Sequence, residues 1–405
     1  MCGTPRASAR RAARVVFPEQ EEPITAIRGP TGDYRTGVLR RVLLAVVGVA
    51  VAASAATAST RSAAAGLPPA ENRLDLVAFP GYAEAGGDDP RANWVQPFVR
   101  KTGCKVHVRT VHSSTELLEV VDGGGFDGVA AYGDVTQVLT GGKEVQPIDT
   151  DLIPSYAHVY APLKTLPQNL EHGRIVGIPH GRGADLLLWR TDLVRPAPTS
   201  WDVLYDPRYA GRVGLRDEPI TLAQTAIHLG YRDPYELSKG QFRKVVRAAA
   251  EQSASVGAYW QDLVAALADF TGGNAIVGAV SARLATLLRA DQVPVATTIP
   301  PGGSAHSASW MILSHARHLG CMYRWLDYIL TGKPNAKSAR YLGEAPATPA
   351  ACAYMSCKAV HAGDQAWWSR RSFAHTPQHD CHDGRGEACV DWFGWSDAWA
   401  LIRAG

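Results

Sequence analysis

Aromatic rings and carboxylates at the ends of short apolar runs are the residues of this chain best suited to chemistry. Tyr82 follows the run at 74–79, Ser113 and Ser114 follow 105–110, and Tyr132, Gly133 and Asp134 follow 126–131. Further along stand Tyr259, Trp260 and Trp310, with Asp185, Asp217, Glu218, Asp262 and Glu344 as acidic companions. Aromatic faces attract ammonium groups and carboxylates fix their ends, so a cleft that gathered these residues would take an organic cation. Singly, each aromatic is equally well explained by core packing and each Asp by a helix cap. Agreement among separate loops is the stronger signal.

Other chemistries have weaker support. His375, His379, Cys381, His382 and Cys389 place five donors within 15 residues, and a zinc site needs four N or S ligands. Their spacing fits no finger, however, and an exported cysteine oxidises, so no metal is assigned. Gly181-Arg182-Gly183 lacks the third glycine and the acidic partner of a dinucleotide site, and Gly123-Gly124-Gly125 is not followed by Lys-Ser/Thr. No Gly-x-Ser-x-Gly elbow occurs. His180, His228 and His306 stand alone in sequence, as structural histidines do. No catalytic residue and no cofactor are expected.

The elements that must position these residues alternate. Strands are predicted at 74–79, 105–110 and 126–131, with helices at 94–99, from Ser113-Ser114 through Val121, and from Asp134 onward. A Ser or Asp at a helix start accepts from the free amides of the first turn. Strand and helix in alternation at this spacing give a parallel α/β sheet. The loops after its strands emerge at one edge, where ligands bind, so Tyr82, Ser113, Ser114, Tyr132 and Asp134 converge. Later strands are predicted at 186–190, 213–215, 275–280, 293–299 and 310–313. Helices are predicted at 221–229, 241–252, 260–269, 281–290, 322–330 and 336–342.

Residues 177–217 carry a resemblance. They read Gly-Ile-Pro-His-Gly-Arg-Gly-Ala-Asp from Gly177, then Ser200, Trp201 and Leu204, then Tyr209, Gly211, Arg212 and Val213. This order resembles the crossing between lobes in solute-binding proteins of ABC importers, the polyamine-binding branch above all, and extends over residues of about 74 to 350. The resemblance implies a two-lobed, periplasmic-binding-protein-like (type II) α/β fold with a hinge. It implies lobe 1 at 66–178 plus 281–307, lobe 2 at 179–280 plus 308–358, and a C-terminal extension at 359–405. It adds Arg182, Asp185, Asp217, Tyr259, Trp260, His306, Trp310 and Glu344 to the candidate ligand set. Arg182 stands where that branch often has an aromatic, and a buried Arg would attract a carboxylate or phosphate. The implied partners are a small polar solute, polyamine-like or otherwise amine-containing, and a membrane permease. A monomer is expected. A secreted enzyme or metal-binding protein on the same scaffold is the alternative.

Export is expected from the first residues. Arg40 and Arg41 precede an apolar run at 42–53, and Ala56-Thr57-Ala58 and Ala63-Ala64-Ala65 offer cleavage sites. The other reading is an uncleaved anchor over 42–58. Residues 1–37 fit no signal architecture, so synthesis is expected to start near Val38. No cysteine lies between Cys2 and Cys104 to carry a lipid. Residues 1–65 hold nine basic and four acidic side chains; without them 32 basic and 34 acidic remain, which leaves no nucleic-acid footprint. Six of the seven cysteines follow the signal, an even number suited to an oxidising compartment. Cys352 with Cys357 and Cys381 with Cys389 are the short loops to pair first. Cys104 and Cys321 then form a third bridge or remain buried thiols.

Overall fold

The computed structural model describes residues 66–404, apart from Asp88 and residues 382–385. The expected signal segment lies outside the described residues, as does His382. Among the described residues no helix is long and apolar enough to cross a membrane.

The first lobe is built on parallel strands Arg73–Ala78, Lys105–Thr110 and Gly128–Tyr132. Ala308–Leu313 runs antiparallel to the last of these. Each parallel strand feeds a helix: Val95–Thr102, Ser114–Asp122 and Gly133–Gly141. Ser113 Oγ accepts from the Glu116 amide at 3.0 Å, which satisfies an orphan donor and fixes where the second helix begins. Leu74, Leu76, Val129, Trp310, Met311 and Trp325 form the fully buried centre. The inner strands Gly128–Tyr132 and Ala308–Leu313 are buried almost throughout, whereas the edge strand Lys105–Thr110 alternates and stays largely exposed.

The second lobe has a five-stranded sheet, in the order Val256–Trp260, Val213–Arg216, Val277–Val280, Leu186–Arg190 and Val295–Thr298. Helices Leu222–His228, Lys239–Ser253, Leu263–Gly272 and Ala282–Ala290 surround it. Ser238 and Gln241 form a reciprocal capping box on the longest of these. Asp262 Oδ1 accepts from the Val264 and Ala265 amides, so the helix expected at 260–269 starts at Leu263.

The lobe boundaries differ from expectation after residue 280. Residues 281–307, expected in lobe 1, mostly belong to lobe 2, where Val295–Thr298 pairs with Leu186–Arg190. Val277–Val280 lies in the same sheet, antiparallel to Leu186–Arg190. Residues 308–342, expected in lobe 2, belong to lobe 1, through Ala308–Leu313 and the helix Leu319–Leu330 packed beneath it. An apolar run shows that a strand is buried; its partner is chosen by packing between segments far apart in sequence.

Between the lobes lies a small hinge sheet. Gly181–Ala184 carries the chain out, and Ser304–His306 brings it back antiparallel. Ala345–Pro346 pairs with the outgoing strand, and Ser372–Phe373, from the C-terminal extension, adds a parallel strand to the returning one. The extension ends in the helix Trp392–Ala404, whose Trp395 is fully buried against Phe242 of the second lobe. Disulfides join Cys104 to Cys321, Cys352 to Cys357 and Cys381 to Cys389. The first ties the lobe 1 sheet to its covering helix.

Candidate functional site

A cavity of about 180 Å³ lies where the strand ends of both lobes meet the hinge. Lobe 1 contributes Tyr132 and Asp134, from the end of one strand and the first turn of the helix after it. Lobe 2 contributes Arg216, Glu218, Gln224 and Trp260; the hinge and its flanks contribute Asp185, Ser304, His306 and Glu344. Gly133 makes the lobe 1 corner possible, because a Cβ there would come within 2.1 Å of the Ala374 carbonyl oxygen.

The charges fall into two groups. At the hinge, His306 Nε2 bonds Glu344 Oε1 at 3.0 Å, and Nδ1 lies 3.7 Å from Asp185 Oδ1. Burial alone would lower the imidazole pKa, but the bonds to Asp185 and Glu344 overcome it and hold His306 at about 10, so it is a cation at neutral pH. Burial likewise opposes ionisation of Asp185, yet His306 and Ser304 keep its pKa below the ordinary value. Ser304 donates to Asp185 and accepts from Gln224 Nε2 at 2.7 Å. This group is internally compensated.

The second group is not. Asp134 is buried, and neither carboxylate oxygen has a hydrogen-bond partner. Burial, reinforced by the Glu218 carboxylate from the other lobe, pushes its pKa up to about 7. Ser114 lowers it a little but completes no hydrogen bond. Glu218 is also raised by burial, against the pull of Arg216, whose Nη1 stands 3.5 Å from Glu218 Oε2. Glu218 Oε1 and Gln224 Oε1 are buried without donors. Unsatisfied buried acceptors cost free energy that a ligand rich in N–H groups would recover.

Of the residues expected to bind, Tyr132, Asp134, Asp185, Trp260, His306 and Glu344 line the cavity together. Tyr82 stands behind Tyr132, ring edge to ring at 5.8 Å, and Ser114 is buried beside Asp134. The others are placed elsewhere. Ser113 is occupied as a helix cap. Trp310 is in the lobe 1 core, its Nε1 donating to His180 Nδ1 at 3.0 Å. Asp217 accepts from Trp399 and Arg403 of the extension, and Tyr259 lies under the Arg403 guanidinium at 3.8 Å. Arg182 turns to the extension as well: it donates to the Ala362 carbonyl at 2.7 Å and stacks on Trp368. Sequence reasoning missed Arg216, Gln224 and Ser304. Arg216 was within reach, since it ends a strand immediately before Asp217-Glu218-Pro219 and strand ends build such sites.

Among the described residues of the tail, the cysteines considered above are not available as zinc ligands. Cys381 and Cys389 are joined in a disulfide and have no thiolate to offer. His375 lies 3.2 Å from Asp233 of lobe 2, away from the cleft.

A two-lobed cleft lined from both sides agrees with the comparisons. The sequence signature described as bacterial extracellular solute-binding protein matches residues 121–362. The chain belongs to that family. Among solved structures, this solute-binding protein is similar to a putative spermidine/putrescine ABC transporter protein of Listeria monocytogenes, at 15% identity and a TM-score of 0.68, over 82% of this chain and 99% of the other. It is similar to a lipoprotein of Treponema pallidum, at 14% identity and a TM-score of 0.67, over 82% of this chain and 100% of the other. It is also similar to the binding protein MotA of A. tumefaciens, solved with glucopine, at 14% identity and a TM-score of 0.64, over 82% and 99%. At these identities the likeness is one of fold: two-lobed α/β binding proteins.

Proposed function

We propose that this extracellular solute-binding protein captures a compact, amine-bearing solute between its lobes and delivers it to the permease of an ABC importer, acting as a secreted monomer. The buried, unpartnered carboxylate of Asp134 carries this reading. A closed cleft brings Asp134 of one lobe toward Glu218 of the other, and like charges in a desolvated space oppose that approach. An ammonium group between them removes the repulsion and supplies the missing donors, with Tyr132 and Trp260 as aromatic walls. A cation therefore favours the closed state, and affinity and closure share one cause.

One similar protein is named as a putative spermidine/putrescine transporter and another was solved with glucopine, so an amine-bearing solute is in keeping with the fold. Arg216, part exposed at the cavity, favours a solute that also carries a carboxylate. The site suits a carrier better than a catalyst: His306, held protonated between two carboxylates, is not available as a general base.

Calorimetry of the purified protein against putrescine, spermidine and 4-aminobutyrate tests the proposal. Binding of at least one, weakened at least about tenfold in Asp134→Asn, supports it. Binding of none, or binding indifferent to Asp134→Asn, overturns it.

A further inference from the structure

All but the first four residues of the C-terminal extension lie beyond residues 121–362, which carry the family signature, yet the extension bonds beside each charged corner of the cleft. Thr376 Oγ1 donates to the Gly133 carbonyl at 2.8 Å and accepts from the Gln137 amide at 3.1 Å; Gly133 adjoins Asp134. The Ala374 amide donates to the Ala305 carbonyl at 2.7 Å, and Ala305 sits between Ser304 and His306. Trp399 Nε1 and Arg403 Nε donate to Asp217 Oδ1 at 3.0 and 2.9 Å, and Asp217 sits between Arg216 and Glu218. Ala374 itself forms part of the cavity wall.

These contacts reach both lobes and the hinge. Thr376 holds the lobe 1 helix, Ser372–Phe373 extends the hinge sheet, and Trp395 and Trp399 are buried on lobe 2. Opening the cleft about the hinge would have to strain or break contacts of the extension, because Thr376 and Trp392 are held on lobe 1 while Trp395 and Trp399 are held on lobe 2.

We propose that residues 372–376 and the helix Trp392–Ala404 of the extension are a working part of the solute site, a clasp whose bonds to Gly133, Ala305 and Asp217 position the charged groups of the cleft and hold the two lobes together. Thr376 and Arg403 are positioning residues: they act through the neighbours of Asp134, Glu218 and His306. The proposal rests on the amine-carrier reading for what is bound, but not for what the extension holds.

The test uses the full chain with Thr376→Val, Thr376→Ser and Arg403→Ala. Thr376→Val keeps the shape and removes both hydroxyl bonds; Thr376→Ser keeps them. With putrescine as probe, Thr376→Val is expected to weaken binding about three- to tenfold, less than the full worth of the two lost hydrogen bonds because they act on Asp134 only through its neighbours. It should also shift the pH midpoint of binding set by Asp134, while Thr376→Ser restores both. Hydrogen exchange on the putrescine-free protein is the independent arm. Thr376→Val should speed exchange at residues 133–141 and Arg403→Ala at residues 213–221, with the melting temperature near that of the parent. If the parent protein binds none of putrescine, spermidine and 4-aminobutyrate, the amine reading fails and the exchange arm alone decides. Unaltered exchange in both segments, or a Thr376→Ser variant as impaired as Thr376→Val, overturns the clasp.

Discussion

The carboxylate of Glu218, on the second lobe, acts on Asp134, on the first: with burial it pushes the Asp134 carboxyl up to about 7. Two acids from opposite lobes thus line one desolvated space, with the Arg216 guanidinium beside Glu218. In the proposed amine complex a cation would complete this pair, and binding would then be sensitive to pH.

That sensitivity has a definite sign. The Asp134 pKa is raised in the folded protein, so unliganded stability is greatest below the ordinary carboxylate range and is lost as pH rises through about 7. Cation binding runs the other way, since it needs the ionised acid. Affinity for putrescine should fall about tenfold per pH unit below 7, and calorimetry in buffers of different ionisation enthalpy should show a proton released on binding. Asp134→Asn should flatten the profile and weaken binding by about 10- to 100-fold, the worth of a charge-assisted hydrogen bond.

Trp260 and Tyr132 wall the same cavity from opposite lobes. A cation over an aromatic face is worth about 0.5 to 2 kcal/mol, so Tyr132→Leu should weaken an amine from a few-fold to about thirtyfold. Trp260 also supports its own lobe through Phe270, so the milder Trp260→Phe is the better probe there. Titration with both variants checks the two walls separately.

His306 makes a stability prediction. Its folded pKa, about 10, lies above the unfolded value, so its contribution is complete below about 6.5 and is lost as pH rises through about 10. Urea denaturation from neutral to alkaline pH should show a loss on the order of a few kcal/mol across that window. His306→Gln strands Asp185 and Glu344 without their cation and should cost about 3 to 5 kcal/mol at neutral pH.

The disulfides should differ in weight. Cys104–Cys321 closes a loop of 217 residues and Cys352–Cys357 one of 5. In the chain-entropy account the long loop contributes about 5 kcal/mol and the short one about 2. Guanidinium denaturation of the paired Cys→Ser variants should rank them in that order. Thiol labelling of the denatured, unreduced secreted protein should find few free cysteines.

Local chemistry carried much of this protein in its sequence. The Ser113 cap, the strand at 105–110 and the strand ends that bear Tyr132 and Asp134 were legible, because capping and apolar runs depend on near neighbours. The crossing at residues 177–217 pointed to the family before any packing was known. Only the tertiary structure decided which lobe owns residues 281–342, since Ala308–Leu313 is equally apolar whichever sheet it joins and its pairing with Gly128–Tyr132 spans the whole second lobe. Only it showed that Arg182, Asp217 and Tyr259 serve the extension while Arg216 faces the cavity. In a strand successive side chains point to opposite sides, so a shift of one residue exchanges a ligand contact for a structural one. Sequence spacing names the strand end; the side presented to the cleft is fixed by what packs behind it, and here that is a tail more than 180 residues away in the chain.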